Sequence, residues 1–80
     1  MDDAEIVHRI GELADEEHQL ERAHVEDGLS DDEVRRLREL EVALDQCWDL
    51  LRQRRARRSA GEDPEAASVR PEEVVEGYKQ

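Results

Sequence analysis

The segment GLSDDEVRRLRELEVALDQCWDLL, residues 28–51, decides the fold. Gly28 can end one helix, and Ser30 followed by Glu33 has the S-x-x-E order of a capping box that begins another. Apolar residues then recur at intervals of three and four, as on one face of an α-helix. These residues are Leu37, Leu40, Leu44, Cys47 and Leu51. The segment therefore predicts a turn followed by a long amphipathic helix.

Two helices joined by this turn make an all-α fold. The second helix is expected over residues 31–59, where arginines near its end suit the negative end of the helix dipole. A first helix is expected over residues 3–26, because Ile6, Ile10 and Leu13 also repeat at helical spacing. A connection of only three or four residues favours antiparallel packing, so we expect a helical hairpin.

The register of the hairpin follows from its turn. Centring the turn near Gly28 places residue i beside about residue 57 − i. In this register apolar residues face each other and acids face arginines. The pairs are Leu13 with Leu44, Ile10 with Cys47, Ile6 with Leu51, and Asp2 and Asp3 with Arg54 and Arg55. The agreement of the two patterns supports the hairpin.

The hairpin occupies residues 1–60, and residues 61–80 form a tail. The residue before Pro71 is disfavoured in the α region, so an extended stretch is expected there, followed by a short helix that Gly77 ends. The tail could dock on the hairpin, although its polarity is also typical of a partly flexible segment.

The apolar face of the second helix is wider than one partner helix can cover. At 100° per residue its apolar positions from Val34 to Leu51 span about 140°. Self-association into a four-helix bundle would cover the face; docking of the tail or binding of another protein are the alternatives. We expect a homodimer. The residues expected to bind a partner are Leu37, Leu44, Trp48, Leu51, Val75 and Tyr78.

Charge dominates the composition. The 80 residues include 23 acidic and 12 basic side chains, for a net charge of −11 at pH 7. This balance argues against general binding to nucleic acids or anionic membranes, which attract basic proteins. The sequence has no secretory signal pattern and no apolar run of about 20 residues that could cross a membrane. With its single cysteine, the chain is expected to be cytoplasmic.

Carboxylates and histidines raise the alternative of a metal site. A Glu-x-x-His pair on a helix holds metal in some helical bundles, and Glu21 with His24 has this spacing. Glu17 shares their face of the first helix, and Glu41 lies at the edge of the facing one. Such spacings also arise by chance in an acidic chain, where the groups act as polar layers, so no metal or other cofactor is predicted.

Five arginines lie within residues 52–58. They could contact the phosphates of RNA or a nucleotide, but helix-dipole matching and pairing with nearby acids is the favoured interpretation. The candidates for an anion site are Arg52, Arg54, Arg55 and Arg58. The chain has no glycine-rich phosphate loop, and a thiol on the core side at Cys47 is typical of packing. We therefore expect no enzymatic activity.

Four segments stand out together: Glu-Glu-His at 16–18, the run 37–58 with its Cys-Trp-Asp-Leu-Leu block, Gly-Glu-Asp-Pro at 61–64, and the tail motif at 69–78. They resemble a family of small uncharacterised actinobacterial proteins, the domain-of-unknown-function 2630 family. The resemblance covers nearly the whole chain. It implies a cytoplasmic bacterial protein of this length with a docked or partner-binding tail, and it implies no activity and no functional residues.

The function predicted from the sequence is a small non-enzymatic module for protein–protein interaction or regulation. The first alternative is a carboxylate and histidine metal site in a helical bundle. The second is an RNA or nucleotide contact through the arginine cluster.

Overall fold

Two long helices and a short helical tail make up the fold in the computed structural model, which describes residues 1–23 and 28–77. Helix α1 spans Asp3–Ala23 and helix α2 spans Asp31–Ser59. The tail contains a 3-10 helix at Pro64–Ala66 and helix α3 at Glu72–Gly77. The predicted all-α hairpin with an extended and short-helical tail is confirmed. Residues 24–26, the predicted end of the first helix, lie outside the described residues.

Each long helix begins with a capping box. At the start of α1, the Glu5 amide donates to the Asp2 carboxylate at 2.8 Å and the Asp2 amide donates to the Glu5 carboxylate at 3.2 Å. At the start of α2, Ser30 and Glu33 make the same reciprocal pair at 3.2 and 2.9 Å, as predicted. Both boxes satisfy amides that have no partner inside the helix.

Glycines in the left-handed region bound α2 on both sides. Gly28 has φ = 72° just before it, and Gly61 has φ = 75° just after it. A side chain at either position would bring its Cβ too close to the backbone, so glycine is the residue that permits these turns.

The core lies between the two long helices. Ile6 and Ile10 of α1 form a cluster with Leu50 and Leu51 of α2, and Leu44 and Cys47 pack against it. This agrees with the predicted register, although Leu50 was not expected to contribute. The buried apolar side chains of the described residues are Ile6, Ile10, Leu13, Leu40, Leu50, Leu51 and Val75.

The tail runs back along α2. Asp63 accepts a hydrogen bond from the Glu65 amide at 3.0 Å and so begins the 3-10 helix. Both this turn and α3 contact α2. The molecule measures 51 × 26 × 15 Å. The molecule is thin in its shortest dimension, and large apolar side chains of α2 remain exposed, among them Val34 and Trp48.

Candidate interaction surface

A buried carboxylate fastens the tail to α2. The Asp49 side chain is 1% exposed and accepts two hydrogen bonds from the Arg70 guanidinium, one of them at 2.9 Å from Nε. Gln53 donates to the same carboxylate at 2.9 Å and to the Ser68 carbonyl at 2.8 Å, while Gln46 donates to the Arg70 carbonyl at 3.2 Å. We call these four residues, Gln46, Asp49, Gln53 and Arg70, the tail latch.

Opposite charges compensate each other within the tail latch. The hydrogen bonds from the Arg70 guanidinium are the main cause that lowers the pKa of Asp49, against the opposing effect of burial. A buried acid needs such a partner because an unpaired charge away from water is costly. Sequence reasoning missed this pair. The available signal was an acid at position 49 flanked by two apolar residues on each side, since such an acid on a packed helix needs a partner.

A second ionic cluster joins the N-terminus, the end of α2 and the tail. Arg54, 6% exposed, donates to Asp3 at 2.6 Å and to Glu65 at 3.2 Å. Arg58 also donates to the Asp3 carboxylate, through two nitrogens. The hydrogen bonds from Arg58 and then Arg54 lower the pKa of Asp3 to about 2. We call Asp3, Arg54, Arg58 and Glu65 the end clasp.

Two of the four arginines predicted to form an anion site belong to the end clasp. Arg54 and Arg58 are held by carboxylates, in agreement with the interpretation of charge pairing. The expected pairing of Arg55 with the N-terminal acids is not seen, because Arg58 lies one full turn from Arg54 on the same side of α2. Arg55 and Arg52 are exposed.

The proposed metal ligands are not drawn together by the described structure. Glu17 is half-buried on α1, whereas Glu21 and Glu41 are exposed. His24 lies outside the described residues. Within residues 1–23 and 28–77, no three side chains among His, Cys, Asp and Glu converge as metal ligands would.

The residues predicted to bind a partner divide into two groups. Leu51 and Val75 are 2% and 3% exposed, so both belong to the chain's own core and offer no surface to a partner. Val75 is buried because α3 packs on α2. Leu37 and Leu44 are half-buried, and Trp48 is 44% exposed. Tyr78 lies outside the described residues.

The exposed indole lies on a stripe of α2 that the described part of the tail, up to Gly77, leaves uncovered. Positions 41, 44, 48, 52 and 55 follow one another at helical intervals of three and four, so they share a face. At 100° per residue, Trp48 is about 100–160° around the helix from Gln46, Asp49 and Gln53 of the tail latch. We call this face the Trp48 stripe. Its members are Glu41, Leu44, Trp48, Arg52 and Arg55.

A shallow groove lies on another part of α2, next to the tail. It has a volume of about 330 Å³, and Val42 and Ala43 are among its lining residues. Arg38 and Glu72, which also line it, form an ion pair across 3.7 Å. Two residues that line this groove therefore already pair with each other, whereas Trp48 on its stripe remains 44% exposed.

Cys47 packs beside the hydrophobic cluster and is half-buried. Burial raises the pKa of its thiol, which favours the protonated form over the nucleophilic thiolate. The position is that of a packing residue.

None of the helices in the described part of the chain combines the length and the apolar composition that a bilayer crossing requires.

Comparison with known proteins agrees with the resemblance noted from the sequence. Residues 2–80 match the family model described as a protein of unknown function, DUF2630. Two uncharacterised proteins, from Mycobacterium bovis and Mycobacterium tuberculosis, are each 49% identical over 77 residues, covering 95% of this chain and 88% of the relative. No solved structure matches the chain significantly. The chain belongs to the DUF2630 family.

Proposed function

We propose that the chain is a small non-enzymatic protein–protein interaction module with a regulatory or scaffolding role. One observation carries the proposal: Trp48 remains 44% exposed on α2, although both α1 and the chain's own tail pack on this helix. Tryptophan is enriched among residues that dominate binding energy at interfaces, because it buries a large apolar area.

The surroundings of Trp48 support the same proposal. Leu44, one turn before it, is half-buried, and Val34, nearer the start of α2, is 52% exposed. Arg52, one turn after it, is exposed and can lay its methylene groups along apolar surface. Tryptophan and arginine around a partly buried apolar centre are the composition typical of a binding interface.

The non-enzymatic part of the proposal follows from the chemistry of the polar clusters. In both the tail latch and the end clasp, carboxylates and guanidinium groups neutralise each other and hold segments of the chain in place. Cys47 is disfavoured as a thiolate. The cytoplasm is the proposed location, because a lone half-buried thiol suits a reducing compartment.

Binding of RNA or a nucleotide receives less support. Arg54 and Arg58 are already paired with carboxylates, which leaves Arg52 and Arg55 as the exposed members of the predicted anion site. Two exposed arginines on a chain with a net charge of −11 provide little attraction for a polyanion.

The proposal is tested by photo-crosslinking in the cells that produce the protein. A benzophenone amino acid replaces Trp48 in one variant and Val7 in a matched control, because Val7 is 54% exposed but lies on α1. A protein bound to the Trp48 stripe should give a discrete adduct from position 48, either with another protein or with a second chain of 9.3 kDa. Adducts no stronger from position 48 than from position 7 would contradict the proposal.

A further inference from the structure

We propose that the partner of the Trp48 stripe is a second copy of this chain, packed antiparallel with a two-fold axis beside Trp48. The inference rests on the proposed function and names its partner. Three observations carry it: the spacing of the stripe, the distribution of charge along α2, and the position of the tail.

The spacing of the stripe is symmetric about Trp48. Its positions 41, 44, 48, 52 and 55 are separated by three, four, four and three residues. A two-fold axis beside Trp48 therefore places residue 41 of one copy beside residue 55 of the other, residue 44 beside residue 52, and Trp48 beside itself. A face with this property is self-complementary, which a two-fold dimer requires.

The side chains at the paired positions are complementary. Glu41 and Arg55 are both exposed and carry opposite charges, and the symmetry forms their pair twice. The methylene groups of Arg52 meet the half-buried Leu44 of the other copy. At the centre, the two indoles can pack on each other, an arrangement that aromatic pairs favour when their rings are offset.

Charge along the whole helix selects the antiparallel orientation. Before Trp48, α2 carries six acids and three arginines; after Trp48, it carries one acid and five arginines, of which Arg54 and Arg58 are already paired in the end clasp. That one acid is Asp49, which is held by Arg70 in the tail latch. Antiparallel packing places the basic half of each helix over the acidic half of the other, whereas parallel packing would bring like charges together.

The tail, as far as the structure describes it, does not obstruct this dimer. The latch residues lie about 100–160° around α2 from Trp48, so the second copy can pack while Arg70 remains bound to Asp49. The result is a two-layer bundle of four long helices, in which each 15 Å-thick molecule covers the other's open face. The contact is closed by its own symmetry and does not propagate into fibres.

The test reverses the charges of the outermost pair, Glu41 and Arg55. Sedimentation equilibrium of the full chain at physiological salt measures the dissociation constant of the dimer. Under these conditions distant charges are screened beyond about 8 Å and the overall repulsion between acidic copies is reduced. Arg55→Glu and Glu41→Arg should each weaken the dimer on the order of tenfold, because each turns two attractive pairs into repulsive ones. The double variant, and an equimolar mixture of the two single variants, should recover the wild-type affinity.

Two further measurements make the test specific. Arg35→Glu changes the net charge by the same amount as Arg55→Glu, but Arg35 lies off the stripe beside the groove, so this control should dimerise like the wild type. Trp48 is the only tryptophan, so its emission should shift to longer wavelength on dilution through the dissociation constant. Circular dichroism confirms that every variant keeps its helices.

The outcomes separate this inference from the proposed function. A wild-type chain that stays monomeric at every concentration overturns the second copy as partner. The inference is also overturned if Arg55→Glu and Glu41→Arg weaken the dimer no more than Arg35→Glu does. The same holds if the mixture of the two single variants fails to restore the wild-type affinity. If position 48 then still crosslinks to a different protein in cells, the proposed function stands and only its partner changes.

Discussion

Asp49 shows how one polar residue can set the path of a whole segment. Its carboxylate is 1% exposed within a run of apolar residues, and the Arg70 guanidinium, from 21 residues further along the chain, neutralises it. A buried acid without a partner destabilises a fold strongly, so the pair selects the conformation in which the tail reaches α2.

Removing the arginine of the tail latch should therefore release the tail. Arg70→Met keeps much of the side-chain volume but leaves Asp49 buried without its charged donor, and we expect a loss of about 1.5–3 kcal/mol in the free energy of unfolding. Urea unfolding measures the loss. Hydrogen exchange of the amides of α3, Glu72–Gly77, should quicken at the same time.

Arg35→Met is the matched control for this prediction. Arg35 is exposed and pairs with Asp32 at 3.4 Å on the surface, so its loss should change stability by less than about 0.5 kcal/mol. Equal effects of the two substitutions would show that the tail latch does not hold the tail.

At the scale of elements, each helix is defined by its ends as much as by its apolar face. The Ser30 and Glu33 capping box and the positive-φ glycines bound α2 at residues that the sequence identifies directly. Helix caps of this kind can be predicted from the sequence, because the hydrogen-bonding partners are within three residues of each other. The hairpin register was also readable, since it depends on a short turn and on regular spacing.

The cap of α2 should contribute measurably to stability. Ser30→Ala removes the acceptor for the Glu33 amide, and a loss of about 1 kcal/mol in unfolding free energy is expected. Ser59→Ala, at the exposed last residue of the same helix, is the control and should have little effect. Thermal unfolding followed by circular dichroism compares them; equal shifts in melting temperature would contradict the role of the cap.

Adjacent valines of α3 provide a sharper test of how that helix packs. Val75 is 3% exposed and Val74 is 44% exposed, although they have the same side chain. Val75→Ala should lose about 1–2.5 kcal/mol of unfolding free energy through lost burial and a cavity, and Val74→Ala less than about 0.5 kcal/mol. Chemical denaturation measures both. A larger loss at position 74 would mean that α3 is rotated from its described orientation.

At the scale of the whole molecule, the path of the tail was the part that sequence reasoning left open. Arg70 and Asp49 are far apart in the chain, and nothing in either local pattern identifies the other as its partner. The same limit explains why Val75 was assigned to an interface with another protein: an apolar residue in a polar tail has no helical repeat that indicates its partner. Spacing alone indicated the apolar face that includes Leu44 and Trp48, but not which part of that face remains exposed.

Acid should destabilise the whole fold through its carboxyls with a lowered pKa, which include Asp3, Asp49 and Glu16. The pKa of Asp3 falls from an ordinary 3.8 to about 2, and that of Asp49 is also lowered. A carboxyl with a depressed pKa stabilises the fold fully above its unfolded-state pKa, and this contribution is lost as the pH falls through the folded-state value. The melting temperature should therefore drop between about pH 4 and pH 2.

Asp3→Asn should make this pH dependence shallower, because one of the carboxyls with a lowered pKa no longer titrates. Asp15→Asn removes one exposed carboxylate of α1 outside the end clasp and controls for the change in net charge. Melting curves from pH 2 to pH 7 at low protein concentration compare the variants. A wild-type melting temperature that rises as the pH falls from about 4 to 2 would contradict the role of these carboxyls.

The end clasp also constrains when the fold can be completed during synthesis. Asp3 hydrogen-bonds residues 51 and 55 positions further along the chain, and Glu65 joins the same cluster. These contacts are non-local, and non-local contacts form late in folding. A nascent chain that has emerged only as far as the middle of α2 can already form helix, but it lacks Arg54 and Arg58, the arginines that bind Asp3. The N-terminus must therefore wait for nearly the entire polypeptide before it reaches its final place.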